Sequence, residues 1–237
     1  MLNFVVSRRG VLVVGLALLA GGGSACGDNP VGGNDPGVGS KTLRVEAVIW
    51  SKNTVQSAVT STQFTTEFTV VVTKKGRSVQ DAEVIIGSPS GQLTLSRPWP
   101  NGTYFGSLPG YEKTYSLDVT SGADTISGAR ITGPDFHVIS DPTPSGTYKA
   151  NMPLVLNWAP GGADVALIEA ARQLPTDADD TGTFTVHPSF LMGDPGKLYE
   201  SKARITRFTT LQLNGGITDS FLGIAIRNEA TFLIDAR

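Results

Sequence analysis

The sequence is poor in the residues that usually mark an enzyme or a disulfide framework. It has one cysteine and two histidines in 237 residues, and only 17% of its residues are charged. A single cysteine cannot form an internal disulfide. The apolar run at residues 11–20 is about half as long as the roughly 20 residues that a membrane-spanning helix needs. The run is therefore too short to be a permanent anchor.

What the N-terminus does contain is the order of features typical of an export signal. Arg8 and Arg9 precede the apolar run, and small residues lead directly to Cys26. This stretch resembles the signal of a bacterial lipoprotein precursor, whose lipobox places a cysteine after small residues. The resemblance implies that residues 1–25 are removed and that Cys26 carries acyl chains such as palmitate. Two or three acyl chains give stable anchoring, so we expect the protein at a membrane of the bacterial cell envelope.

Two alternatives concern this signal. An ordinary signal peptide cut nearby would leave Cys26 as a free thiol, but exported proteins seldom keep one exposed. The position of the cysteine at the end of the signal favours lipidation. Ser7 to Leu12 also resembles a twin-arginine export motif, while the strongly apolar run suits the general secretory route. Both routes stay open.

Charge excludes one class of partner. Removal of residues 1–25 deletes Arg8 and Arg9 and no acidic residue, which leaves 17 basic and 21 acidic residues. Without a basic excess, nucleic-acid binding is not expected. Residues 27–40 contain five glycines and no large apolar side chain except valine, so burial cannot offset the entropy of ordering them. We expect a flexible tether there.

Short alternating segments separated by turns predict a β-sandwich. The predicted strands lie at residues 42–50, 64–72, 79–86, 93–95, 115–119, 126–131, 154–158, 183–186, 203–208, 221–227 and 231–234. Residues 165–171 fit either a helix or a strand, and the β context favours a strand. Asn101-Gly102 is a hairpin signal.

Two parts of the chain resemble known sandwich modules. VVVTKKGRSVQDAEVIIGSPSGQLTL, within residues 42–138, resembles bacterial immunoglobulin-like and carboxypeptidase-regulatory-like modules. Leu154 to Pro160 resembles the second strand of a fibronectin type III domain. We therefore expect an all-β protein with two tandem immunoglobulin-like β-sandwich domains. The expected segments are a signal peptide at 1–25, a lipidated tether at 26–41, a first sandwich at 42–139, a linker at 140–151 and a second sandwich at 152–237.

One segment is a candidate ligand patch. Trp99, Tyr104 and Tyr111 lie in an aromatic, proline-containing stretch, and exposed aromatic rings form platforms for sugars or proteins. The alternative is that Tyr104, Phe105 and Tyr115 point into the core and that Trp99 covers its edge.

The remaining candidates give no predicted catalytic, metal or cofactor site. Asp177 to Gly182 resembles the start of an EF-hand loop, but Pro188 stands where a bidentate glutamate is needed. The alternative is a solvated turn whose aspartates cap backbone amides. His137 and His187 have no metal-ligand spacing, and a half-exposed strand position is expected for His137. No serine lies in a Gly-x-Ser-x-Gly elbow.

The sequence thus predicts a membrane-anchored lipoprotein with a structural or binding role toward a protein or glycan partner. The rival hypothesis is a small extracytoplasmic hydrolase, or an accessory subunit of one, built on the same sandwich.

Overall fold

The computed structural model describes the backbone of residues 3–6 and 12–15 and all atoms of residues 33–96 and 101–237. The protein is all-β. Its strands are β1 (Asn3–Val6), β2 (Leu12–Gly15), β3 (Val38–Gly39), β4 (Leu43–Asn53), β5 (Phe64–Lys74), β6 (Arg77–Ser78), β7 (Glu83–Ser88), β8 (Gly91–Thr94), β9 (Thr103–Pro109), β10 (Thr114–Ser121), β11 (Asp124–Thr132), β12 (Ile139–Asp141), β13 (Thr147–Lys149), β14 (Leu154–Trp158), β15 (Val165–Ala170), β16 (Thr176–Ala178), β17 (Thr183–Val186), β18 (Leu198–Gln212) and β19 (Phe221–Asp235). Two single-turn 3-10 helices span Ser61–Gln63 and Pro188–Phe190.

The N-terminal unit is small. Strands β1 and β2 pair antiparallel, with Asn3 opposite Gly15. Cys26 and most of the expected signal peptide lie outside the described residues. Within the described part of the chain, no helix has the length and apolar character needed to cross a membrane.

One nine-stranded sheet dominates the second unit, residues 32–237. Its main order is β16-β15-β18-β19-β4-β5-β6, and β13 and β9 add to β19 and β5. Strand β19 pairs parallel with β4, with Phe221 opposite Glu46. A five-stranded sheet (β3-β11-β10-β7-β8) and a three-stranded sheet (β12-β14-β17) complete the unit.

Two hydrophobic cores form on one face of the large sheet. Strict alternation in β4 buries Leu43, Val45, Ala47 and Ile49, because successive side chains of a strand point to opposite faces. The first core adds side chains from β7, β10 and β11, and the second adds side chains from β12, β14 and β17.

The long strand β19 serves both cores, and this differs from the expected tandem arrangement. Its residues Leu222, Ile224 and Ile226 belong to the first core, whereas Phe232 and Ile234 belong to the second. Strands from both expected modules therefore share one set of ladder hydrogen bonds. The division at residues 140–151 does not divide this sheet, because β19 returns from the C-terminal half to pair with β4.

The expected tether and the expected linker each contain a short strand. Within the expected linker, Thr147–Lys149 pairs parallel with β19. Within the expected tether, Val38–Gly39 pairs with β11, and the backbones of Asp35 and Arg130 exchange two hydrogen bonds. An edge strand needs only backbone partners, so a segment without large apolar side chains can be held in this way.

Most predicted strands are confirmed, including the ambiguous one at Val165–Ala170. The two strands predicted at residues 221–227 and 231–234 form one continuous strand, β19. Asn228 lies in the gap between the two predicted strands. The side chain is fully buried, and its amide nitrogen donates to the carbonyl oxygens of Ala58 (2.9 Å) and His137 (2.8 Å).

Candidate binding surface

The aromatic patch expected from the sequence is not an exposed platform at its two tyrosines. Tyr104 is buried; its hydroxyl donates to the carbonyl oxygen of Val79 (3.1 Å) and accepts from the amide of Ala82 (2.9 Å). Tyr111 is also buried and donates to the carbonyl oxygen of Pro134. Burial raises the pKa of Tyr111. The alternative of core packing named Tyr104, Phe105 and Tyr115: Tyr104 and Tyr115 are buried, whereas Phe105 is only half-buried. Trp99 lies outside the described residues.

The two histidines have different surroundings. His137 is fully buried rather than half-exposed, and its Nε2 lies 3.0 Å from the carbonyl oxygen of Ile205. Burial, reinforced by the nearby Arg207 charge, lowers the pKa of His137 to about 3. His187 is exposed, and its Nδ1 lies 2.9 Å from Oγ of Ser189, where it caps a 3-10 turn.

A buried ion pair lies between β18 and the loop before β17. Arg207 is fully buried and pairs with Asp180. Its Nη1 also donates to the carbonyl oxygen of Asp135 (2.8 Å). Asp180 accepts from the indole of Trp158 (2.8 Å) and the amide of Gly161 (3.0 Å). Burial opposes the ionisation of Asp180, but these hydrogen bonds outweigh it and its pKa is lowered.

The hydrogen bonds of Asp180 bear on whether residues 177–182 form a cation-binding loop or a turn. Asp180 turns inward and caps a backbone amide, as the solvated-turn alternative predicted for such aspartates, whereas Asp177 and Asp179 are exposed. Among the described residues, no group of three potential ligands could hold a metal ion. In the same residues, neither histidine is hydrogen-bonded to a carboxylate, so the rival hydrolase hypothesis gains no Asp–His–Ser grouping.

The outward face of the large sheet carries half-buried aromatic side chains that the sequence analysis did not select. Trp50 on β4 and Phe208 on β18 lie 6.3 Å apart between ring centroids and are tilted by 52°. Between them on β19 stands the small residue Ala225, opposite both in register. The guanidinium carbon of Arg227 lies 4.9 Å from the Trp50 ring centroid, a cation–π arrangement.

A signal for Trp50 was present in the sequence. Leu43, Val45, Ala47 and Ile49 occupy the inward phase of the strand, so the alternation already assigns Trp50 to the opposite face. Alternation did not predict the face on which Phe208 lies. Its neighbour Arg207 points into the interior, where an apolar residue would be expected.

Charged side chains surround the aromatic pair. Four cations and three carboxylates form ion pairs on this face: Lys52–Glu67, Lys202–Glu229, Arg204–Glu229, Arg204–Glu169 and Arg227–Glu169. Beside Trp50, a surface concavity of about 280 Å³ is lined by Lys52, residues 53–56, Arg227 and Glu229. Aromatic and charged groups at a shallow concavity can hold a polar ligand.

A second exposed feature lies on the loops where β18 begins and β19 ends. The name apolar loop cluster is used below for five exposed apolar side chains on these loops and at the start of β18, with no contact among them implied: Met152, Leu174, Phe190, Met192 and Leu198. Leu174 is 78% exposed and Met152 is 60% exposed. The amide of Arg172 donates to the carbonyl oxygen of Phe190 (3.2 Å), which ties two of these loops together.

No protein-family model matches this sequence, and no curated protein is similar enough to it to count as a relative. The arguments for function therefore rest on the residues themselves.

Proposed function

We propose that this protein is an exported lipoprotein, anchored through Cys26 to a membrane of the bacterial cell envelope, with a binding role. The order of Arg8, Arg9, the apolar run and Cys26 supports the anchor. One observation carries the binding role: Trp50, Phe208 and Arg227 lie together on the outward face of the large sheet, beside a concavity. A glycan is the favoured partner, since aromatic rings flanked by polar groups suit sugars.

Metabolic labelling with a fatty-acid analogue tests the anchor. The wild-type protein is expected to incorporate label, and the Cys26→Ser variant to lose it. Label retained in Cys26→Ser, or a mature chain that begins at another residue, would contradict the proposed anchor.

A glycan array with the purified protein tests the binding role. Trp50→Ala removes the largest ring of the outward face and is expected to lower the bound signal at least tenfold. Phe190→Ala serves as the matched control, because Phe190 is an exposed aromatic residue in the apolar loop cluster. Equal signals from wild type and Trp50→Ala would contradict the glycan-binding role of this face.

A protein partner is the second candidate, and the apolar loop cluster favours it. Exposed apolar groups gathered on one surface are typical of protein contacts, and methionine adapts to irregular partner surfaces. A pull-down from envelope extracts should then lose its partner in Phe190→Ala and keep it in Trp50→Ala. Loss in Trp50→Ala alone would assign the partner to the sheet face.

A further inference from the structure

The concavity beside Trp50 has a charge pattern that its own carboxylates do not balance. Lys52 and Arg227 stand directly opposite each other in the register of β4 and β19, and both line the concavity. The third charged lining residue, Glu229, is already bound by Lys202 (2.6 Å) and Arg204 (2.6 Å). Among the described residues, Glu229 forms its ion pairs with these two cations and not with Lys52 or Arg227, and it favours the charge of Arg227 only through space.

Arg227 is the less compensated of the two cations. Its one ion pair with a described residue, to Glu169, measures 3.5 Å, and Glu169 is shared with Arg204. By contrast, Lys52 lies 2.7 Å from Glu67. Burial lowers the pKa of Arg227, and the Arg204 charge adds to this effect, whereas the carboxylates of Glu169 and, to a smaller extent, Glu229 oppose it. An additional anion at this position would relieve the desolvated positive charge.

The position of Arg227 is fixed before any ligand arrives. Its Nε donates to Oγ1 of Thr206 (3.3 Å), and its guanidinium rests on the Trp50 ring. A planar guanidinium held in this way matches the geometry of a carboxylate, which it can bind through two parallel hydrogen bonds. Because the side chain is already ordered, less entropy is lost on binding.

The other lining groups suit a sugar rather than a peptide. Asn53, the last residue of β4, and Thr54 and Gln56 just after it line the concavity. The Asn53 amide already donates to the carbonyl oxygens of Val55 (2.7 Å) and Glu229 (3.4 Å), and the Thr54 hydroxyl donates to that of Gln63 (3.0 Å). The side-chain oxygens of Asn53 and Thr54 and the amide of Gln56 are therefore the groups that can hydrogen-bond to hydroxyl groups. A volume of about 280 Å³ accommodates a single ring of a saccharide. The deep apolar pocket that would anchor a peptide side chain is not found in the described part of this face.

We infer that this concavity binds the carboxylate of an acidic saccharide, with Arg227 and Lys52 contacting the carboxylate and the loop at residues 53–56 contacting the hydroxyls. The inference rests on the proposed binding role of the sheet face and names the class of ligand for it. Added salt should weaken binding, because both cations are partly exposed to solvent.

Calorimetric titration tests the inference with the purified chain in detergent micelles, which also dissolve an acyl anchor. The titrants are an oligosaccharide of glucuronic acid and its carboxyl-reduced, neutral counterpart. We expect the reduced form to bind about tenfold more weakly, which corresponds to about 1.4 kcal/mol. Arg227→Gln and Lys52→Gln should each weaken binding of the acidic form, whereas Lys197→Gln, an exposed residue paired with Asp194 elsewhere, should leave it unchanged.

Three results would overturn the inference. Equal binding of the acidic and neutral oligosaccharides would remove the carboxylate contact but leave the glycan-binding face intact. Binding of a poly-glutamate peptide in place of both oligosaccharides would assign the cations to a protein partner. No binding of any of the three titrants would remove the acidic-saccharide site. The comparison of the acidic and neutral oligosaccharides uses the unmodified protein, so its result does not depend on whether a variant folds. The glycan array with the Trp50→Ala variant tests the proposed function separately.

Discussion

At the scale of single residues, Arg207 is the largest fully buried side chain among the described residues, and it forms an ion pair with Asp180. Arg207 donates to Asp180 and to the backbone of Asp135 and Gly161, so its charge and its donors are used in the interior. Asp180 also accepts hydrogen bonds from the indole of Trp158 and the amide of Gly161. These hydrogen bonds join β18, β14 and the loops beside them, so the pair has a structural role.

Removal of one partner should be costly. In Arg207→Met the carboxylate of Asp180 stays buried without its cation, so we expect a loss of about 3–5 kcal/mol in the free energy of unfolding. Urea denaturation measures it. The matched control is Arg44→Met, because Arg44 is 45% exposed and pairs only with Glu46 on the same strand; it should change stability by less than about 1 kcal/mol. Equal losses in both variants would contradict the proposed importance of the buried pair.

His137 should make stability depend on pH. Its folded-state pKa of about 3 lies below the unfolded value of about 6.5. Between these values the unfolded chain binds a proton that the folded chain does not, so stability falls as pH falls from about 6.5 toward 3. The slope that this one group contributes is at most about 1.4 kcal/mol per pH unit.

Urea denaturation between pH 5 and pH 8 measures this slope. His137→Gln should reduce the slope below pH 6.5, whatever its effect on stability at pH 8. His187→Gln, at the exposed histidine, should keep the wild-type slope. An unchanged slope in His137→Gln would show that the buried ring is not the source.

At the scale of elements, β3 shows how a glycine-rich segment becomes part of a sheet. Gly39 packs so closely that a side chain there would meet the carbonyl oxygen of Thr125 and lie 2.6 Å from the carbonyl oxygen of Gly215. The composition of this segment predicted flexibility, because that argument counts only the burial of side chains and not backbone pairing. The backbone pairing with β11 depends on residues more than 80 positions away, and no local pattern reports that.

Gly39→Ala should therefore release β3 from β11. The expected result is faster hydrogen exchange at the amide of Arg130, which donates to the carbonyl oxygen of Asp35 (2.7 Å), together with easier proteolysis within residues 33–41. Gly223→Ala is the matched control, because a methyl group there would have its nearest neighbour at 3.7 Å. Protection at Arg130 that survives Gly39→Ala would contradict this account of the edge.

At the scale of the whole molecule, the parallel pairing of β19 with β4 joins the two halves of residues 33–237. The first core includes Leu213, Leu222, Ile224 and Ile226 from the C-terminal half. Residues 42–139 therefore lack part of their own core and the strand beside β4. A tandem pair of independent sandwiches would show neither feature.

We expect the described unit to unfold in one cooperative transition, seen at the same urea concentration by circular dichroism and by tryptophan fluorescence. A fragment of residues 33–139 should remain unfolded in one-dimensional proton NMR, whereas residues 33–237 should give dispersed amide signals. A folded 33–139 fragment would instead support independent domains.

The sequence by itself determined the class of fold and most strand positions, because the alternation of apolar and polar residues is a local property of the chain. It also assigned Trp50 to the outward face of its strand. Only the tertiary structure decided which strands are neighbours, that Arg207 and His137 are buried, and that Trp50, Phe208 and Arg227 meet. The meeting of Trp50 with Phe208 and Arg227 depends on pairings between residues more than 150 positions apart, and the burial of Arg207 and His137 depends on contacts with other elements of the chain. The period of a strand does not specify its partners.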